Sequence, residues 1–144
     1  MKELTILTLG LFLASIIDYV NTACAQINLE KCSCDHPTSR KYFIYCQDRG
    51  LTAMPPRINR SLSDGEASGD FSMNAITSIP GNYFENMKYF EILDFSSNKI
   101  SSIGADSLKQ LDNSLASLYM RNNKIKSIAP NTFAGMTRLN TLDL

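Results

Sequence analysis

From residue 71 to residue 144 apolar side chains and asparagines return on one template. A copy of it sets Leu115, Leu118, Met120 and Asn123 as L-x-x-L-x-L-x-x-N, then Ile125, Ile128, Phe133 and Met136. The copy before reads Phe90, Leu93, Phe95, Asn98, Ile100, Ile103, Leu108 and Leu111. An earlier one keeps Phe71, Asn74, Ile76, Ile79, Phe84 and Met87, with Glu66 and Gly69 where its two leading apolar residues belong; a later one opens as Leu139, Leu142, Leu144. Asparagine to asparagine the spacing is 24 and then 25 residues. The L-x-L alternation has the period of a strand, so each copy predicts one short strand with Leu93 and Phe95, or Leu118 and Met120, pointing inward. A coil of this length cannot cover its own apolar side, and stability must come from stacked neighbours, which makes the chain a solenoid. At each strand exit an asparagine amide can both donate to and accept from backbone, so Asn74, Asn98 and Asn123 are predicted to form a ladder.

The outward strand positions of such a stack line up in columns about 4.8 Å apart. One column reads Asp70, Asp94, Tyr119, Asp143; the next Ser72, Ser96, Arg121; a flanking one Met73, Ser97, Asn122. Tyr119 and Arg121 are residue types favoured at binding hot spots, which makes this face the candidate contact surface. Asp94 beside Arg121 reads as a solvated surface pair. The recurring aspartates are read as ordinary outward residues, because Tyr119 interrupts what would otherwise suggest paired catalytic carboxylates or a calcium site.

Ahead of the repeats, residues 4–17 form an almost wholly apolar run ended by Asp18 and a small, polar stretch, the layout of a secretory signal peptide over residues 1–23. The run is shorter than the roughly 20 residues that span a bilayer. Cleavage after Thr22 or Ala23 keeps an even set of cysteines, whereas cleavage after Ala25 fits the small-x-small rule and removes Cys24; the earlier cut is preferred. The four cysteines, Cys24, Cys32, Cys34 and Cys46, all lie in the first third of the chain. In a secreted chain disulfides are the default, and cross-links could hold a small cap over the apolar end of the first coil. Residues 42–45, Tyr-Phe-Ile-Tyr, read as a strand of that cap. The four cysteines allow three pairings. No metal site is expected, since the Cys32, Cys34, Cys46 and His36 set lacks the usual C-x2-4-C spacing.

Residues 57–70 are rich in Ser, Gly and Asp and read as a loop or degenerate first repeat. They carry the single N-glycosylation acceptor, Asn59 with Arg60 and Ser61. With 14 basic and 14 acidic side chains and no basic run, nothing favours nucleic acid or an anionic membrane surface. One histidine, in the cap, and no glycine-rich phosphate loop or nucleophile elbow argue against an enzyme and against a cofactor.

The Cys32-x-Cys34 pair, the aromatic strand, Cys46, and then Leu51, Met54 and Pro55 resemble the cysteine-rich N-terminal flank of extracellular leucine-rich repeat proteins. Together with the repeats the resemblance covers nearly everything after the signal peptide. It implies an α/β fold: a right-handed horseshoe solenoid with short parallel strands on its concave face and a disulfide-bonded cap over residues 24–56. In that family the cysteines pair first with third and second with fourth, which implies Cys24 to Cys34 and Cys32 to Cys46. It implies a secreted or cell-surface module that binds a protein ligand or receptor ectodomain through the concave face, with no membrane segment apart from the signal peptide. A non-catalytic subunit that stabilises a secreted enzyme, or a structural matrix protein, are the alternatives. Residues 139–144 enter a strand and halt before its asparagine, so the chain is read as the N-terminal part of a longer protein.

Overall fold

The fold was analysed in a computed structural model that describes residues 31–38, 41–56, 66–87 and 89–144. The readings on the signal peptide, Cys24 and Asn59 lie outside these residues. Strands β1 (Ser33–Thr38), β2 (Lys41–Tyr45), β3 (Glu66–Asp70), β4 (Phe90–Asp94), β5 (Ser102–Ile103), β6 (Ser117–Tyr119), β7 (Ser127–Ile128) and β8 (Thr141–Asp143) make two sheets. The larger has the order β1-β2-β3-β4-β6-β8. Its first pair is antiparallel and every later pair is parallel. β5 and β7 pair in parallel on the return path. Among the described residues the helical part of the return path is one 3-10 turn, Lys109–Leu111. Among the described residues no helix is long and apolar enough to cross a membrane.

The core is a set of stacked inward columns. Ile44, Gly69, Leu93 and Leu118 share one buried register position, which the exposed Leu142 continues. One step further come Cys46, Phe71, Phe95 and Met120, whose backbone N–H groups donate to Asp70, Asp94, Tyr119 and Asp143 in the neighbouring coils. Ile76, Ile79, Ile100, Ile103, Phe84, Leu108 and Leu111 fill the interior along the return path, each at most 5% exposed. Burial of these aliphatic and aromatic groups is the main stabilising term, at about 1.5 to 3 kcal/mol for each large side chain.

The segment 66–70 forms β3, although Glu-Ala-Ser-Gly-Asp has little intrinsic preference for a strand. Tertiary pairing overrides propensity here, because β2 and β4 bond it on both edges. Its inward positions, Ala67 and Gly69, are small where later copies carry Phe90 and Leu93, and the space is filled by neighbours instead. A Cβ on Gly69 would stand 2.7 Å from Phe71 Cε2 and 3.1 Å from both Leu93 Cδ2 and Phe90 Cε1. The Phe71 ring cannot swing aside, since it is fully buried and stacked on Phe95 with centroids 5.1 Å apart. Gly69→Ala is therefore expected to cost about 1 to 3 kcal/mol through overpacking. Urea unfolding checks this, and a loss below about 0.5 kcal/mol would mean that the ring yields.

The strand exits repeat as closely as the strands. Met73, Ser97 and Asn122 all take left-handed backbone, with φ of 57°, 57° and 56°. They precede Asn74, Asn98 and Asn123, and these positive φ values turn the chain out of the sheet. A left-handed non-glycine residue costs roughly 1 to 2 kcal/mol, which the side-chain bonds of the following asparagine offset. The flanking column of the sequence reading is thus a row of turns.

Candidate functional site

Outward side chains of the large sheet form the candidate surface. Its central row runs across five strands in register: Tyr45, Asp70, Asp94, Tyr119, Asp143. Two residues earlier on the same strands, a second row runs Phe43, Ser68, Ile92, Ser117, Thr141. Ser72, Ser96 and Arg121 follow at the strand exits, tied to one another's coils by backbone bonds from Asp48 to Ser72, Met73 to Ser96 and Ser97 to Arg121.

The aspartates of the central row have local work. Asp70 Oδ1 accepts from Ser72 N at 2.9 Å and from Ser72 Oγ at 2.6 Å, and Asp94 Oδ1 accepts from Ser96 N at 2.7 Å. Each carboxylate thereby fixes its own strand exit in an Asx-type turn. Arg121 is ion-paired with Asp143, not with Asp94 as the sequence reading had it. The hydrogen bond that the guanidinium donates to the Asp143 carboxylate, together with the charge of that carboxylate, raises the Arg121 pKa above its ordinary value. At the border of this face Lys41 pairs with Glu66 at 3.3 Å and Arg138 with Glu91 at 3.6 Å.

Three contributors to the face escaped sequence reasoning: Phe43, Tyr45 and Ile92. Phe43 and Tyr45 stack with centroids 6.2 Å apart, and Tyr45 and Ile92 are 43% and 41% exposed. Their signal was available. Strand alternation puts Phe43 and Tyr45 on one side together, and Ile92 is an apolar residue beyond those the repeat template needs.

Beside the face, the asparagines bind neighbouring coils. Asn74 Nδ2 donates to the carbonyls of Cys46, Phe71 and Ser72, and its Oδ1 accepts from Arg49 N and Leu51 N. Asn98 donates to Phe71, Phe95 and Ser96 carbonyls and accepts from Ile76 N. Asn123 donates to Phe95, Met120 and Arg121 carbonyls and accepts from Ile100 N. At the capped end Cys32 and Cys46 form a disulfide that closes 14 residues of chain, and Cys34 is also disulfide-bonded.

A sequence profile described as Leucine Rich Repeat matches residues 89–111 and 114–136. These segments contain β4 and β6 with their asparagines and return paths. The zebrafish (Danio rerio) protein named leucine-rich repeat-containing protein 3 is 30% identical over 105 residues, covering 73% of this chain and 38% of that protein. Mouse (Mus musculus) keratocan is 31% identical over 136 residues, covering 79% of this chain and 37% of keratocan. The chain carries leucine-rich repeats. A further relative, leucine-rich repeat-containing G-protein coupled receptor 5A of Xenopus laevis, is 34% identical over 83 residues, which is 58% of this chain and 9% of the receptor. This leucine-rich repeat protein thus spans under two-fifths of the length of each of these relatives. The Cys32–Cys46 bridge fits the N-terminal cap of such a solenoid.

Proposed function

We propose that this leucine-rich repeat protein is an extracellular recognition module that holds a protein ligand or receptor ectodomain on its concave face. The observation that carries the reading is the pair of rows that sets Phe43, Tyr45, Ile92 and Tyr119 on one open sheet face without burying them. Grouped large apolar and aromatic side chains on a rigid, hydrogen-bonded surface are what a protein partner buries, and little conformational entropy is lost in docking there. An extracellular place is supported by the disulfide-bonded cap, since such bonds persist in oxidising compartments.

Binding of the secreted chain to purified receptor ectodomains and secreted proteins, followed by biolayer interferometry, tests the reading. Ile92→Arg and Tyr119→Ala are each expected to weaken a specific partner about tenfold or more, as central contacts do. Lys109→Glu on the return path should leave the affinity unchanged. A partner indifferent to both concave substitutions but lost with Lys109→Glu would place recognition on the other side of the solenoid.

A further inference from the structure

We infer that the register row Tyr45, Asp70, Asp94, Tyr119 seats an arginine side chain of an extended segment of the protein partner, with an apolar residue of that segment resting on Phe43 and Ile92. This rests on the proposed use of the concave face and specifies its ligand. Neighbouring strands stand about 4.8 Å apart, so the two carboxylates are side by side, with one phenol a strand beyond on either hand. Both carboxylates are half-buried and spend Oδ1 on their own strand exits, at Ser72 and Ser96.

Lys41, Arg138 and Arg121 are engaged with Glu66, Glu91 and Asp143, and among the described residues no cation pairs with Asp70 or Asp94. A cation brought by a ligand relieves the repulsion between two adjacent carboxylates. A planar guanidinium does so with directed hydrogen bonds and can also lie against a tyrosine ring, which a compact ammonium does less well.

The second row fixes the rest of the ligand. Phe43 and Ile92 precede Tyr45 and Asp94 by two residues on the same strands, a separation of about 6.6 Å along the strand. In an extended ligand, side chains two residues apart have that same spacing and face the same way. A segment with the pattern apolar-x-Arg, running along the strands, meets both rows at once. The stacked Phe43 and Tyr45 rings form one wall of the seat, and Tyr119 forms the other.

The test is a titration of the 15N-labelled secreted chain, at low salt, with the probe acetyl-Leu-Thr-Arg-amide and its neutral citrulline counterpart. Saturable shifts are expected at the amides of Tyr45, Asp70, Asp94 and Tyr119 at about millimolar probe, with the citrulline probe about tenfold weaker. Asp94→Asn removes the charge while its Oδ1 still accepts from Ser96 N, and it should weaken the arginine probe about fivefold or more without changing the fold. Asp70→Asn provides an independent second variant. Equal responses to arginine and citrulline, shifts scattered over the surface, or the same shifts with calcium chloride alone would overturn the assignment. If a protein partner is lost with Ile92→Arg yet unaffected by Asp94→Asn, the recognition module stands and the arginine seat falls. If the probe binds the row while a purified protein partner ignores both concave substitutions, the seat stands and the module's docking face is elsewhere.

Discussion

Phe95→Ala is expected to lower the unfolding free energy by about 3 to 5 kcal/mol, the loss of a fully buried phenylalanine with the cavity it leaves. Phe95 is fully buried and stacks on Phe71 at a centroid separation of 5.1 Å and an interplanar angle of 11°. It is also the inward residue between Phe71 of the preceding coil and Met120 of the following one, the three coils being tied by backbone bonds from Phe71 N to Asp94 O and Phe95 N to Tyr119 O. In a solenoid each coil touches only its neighbours, so cooperativity is carried by interfaces such as this one. The variant should therefore lose more than stability. Urea unfolding read by circular dichroism should give a shallower or divided transition as the two halves uncouple. Phe133→Ala, at a half-buried position, supplies the control and should cost less than half as much with no change of slope. A Phe95→Ala loss under about 1 kcal/mol, with the slope unchanged, would show that the stacked ring is not what couples the coils.

The template residues carried the fold because their positions are dictated by backbone geometry. Leu93, Phe95 and Asn98 must stand where they do for the coil to close, so spacing alone located β4 and the turn after it. What spacing could not show was set by neighbouring coils. Glu66–Asp70 looks like loop because its inward residues are small, and they are small because Phe71, Phe90 and Leu93 occupy the room that larger ones would need. The orientation of Phe43 and Tyr45 was ambiguous for a related reason. Tyr42 and Ile44, the alternate pair, are equally apolar, and only pairing with β3 puts Ile44 in the core and Phe43 on the open face. Arg121 pairs with Asp143 of the following coil, and the outward columns read from sequence could not rank that partner against Asp94 of the preceding one.

The asparagine ladder yields the other large effect: Asn98→Ala is expected to cost about 3 to 4 kcal/mol, with Asn123→Ala nearer 1 to 2. Asn98 is 6% exposed; its amide donates to Phe71 O at 2.9 Å and Phe95 O at 3.0 Å, and its Oδ1 accepts from Ile76 N at 2.9 Å. Alanine removes all of these and leaves backbone groups of two adjacent coils without partners where water does not reach. Asn123 makes the corresponding bonds in a half-buried setting, where water can replace some of what is lost. Asn98→Asp separates hydrogen bonding from shape. Its carboxylate still accepts from Ile76 N but opposes the Phe71 and Phe95 carbonyls, and both this repulsion and burial favour its protonated form in the folded state. A carboxyl whose folded pKa is raised binds more protons folded than unfolded, so the variant should regain stability relative to the parent chain as pH falls toward about 4, and lose it again as pH rises. Thermal unfolding of parent and variants at both pH values reads this directly. Equal losses for Asn98→Ala and Asn123→Ala, or a pH-independent Asn98→Asp, would mean that the amide's role is to fill space and that the paired carbonyls find other partners.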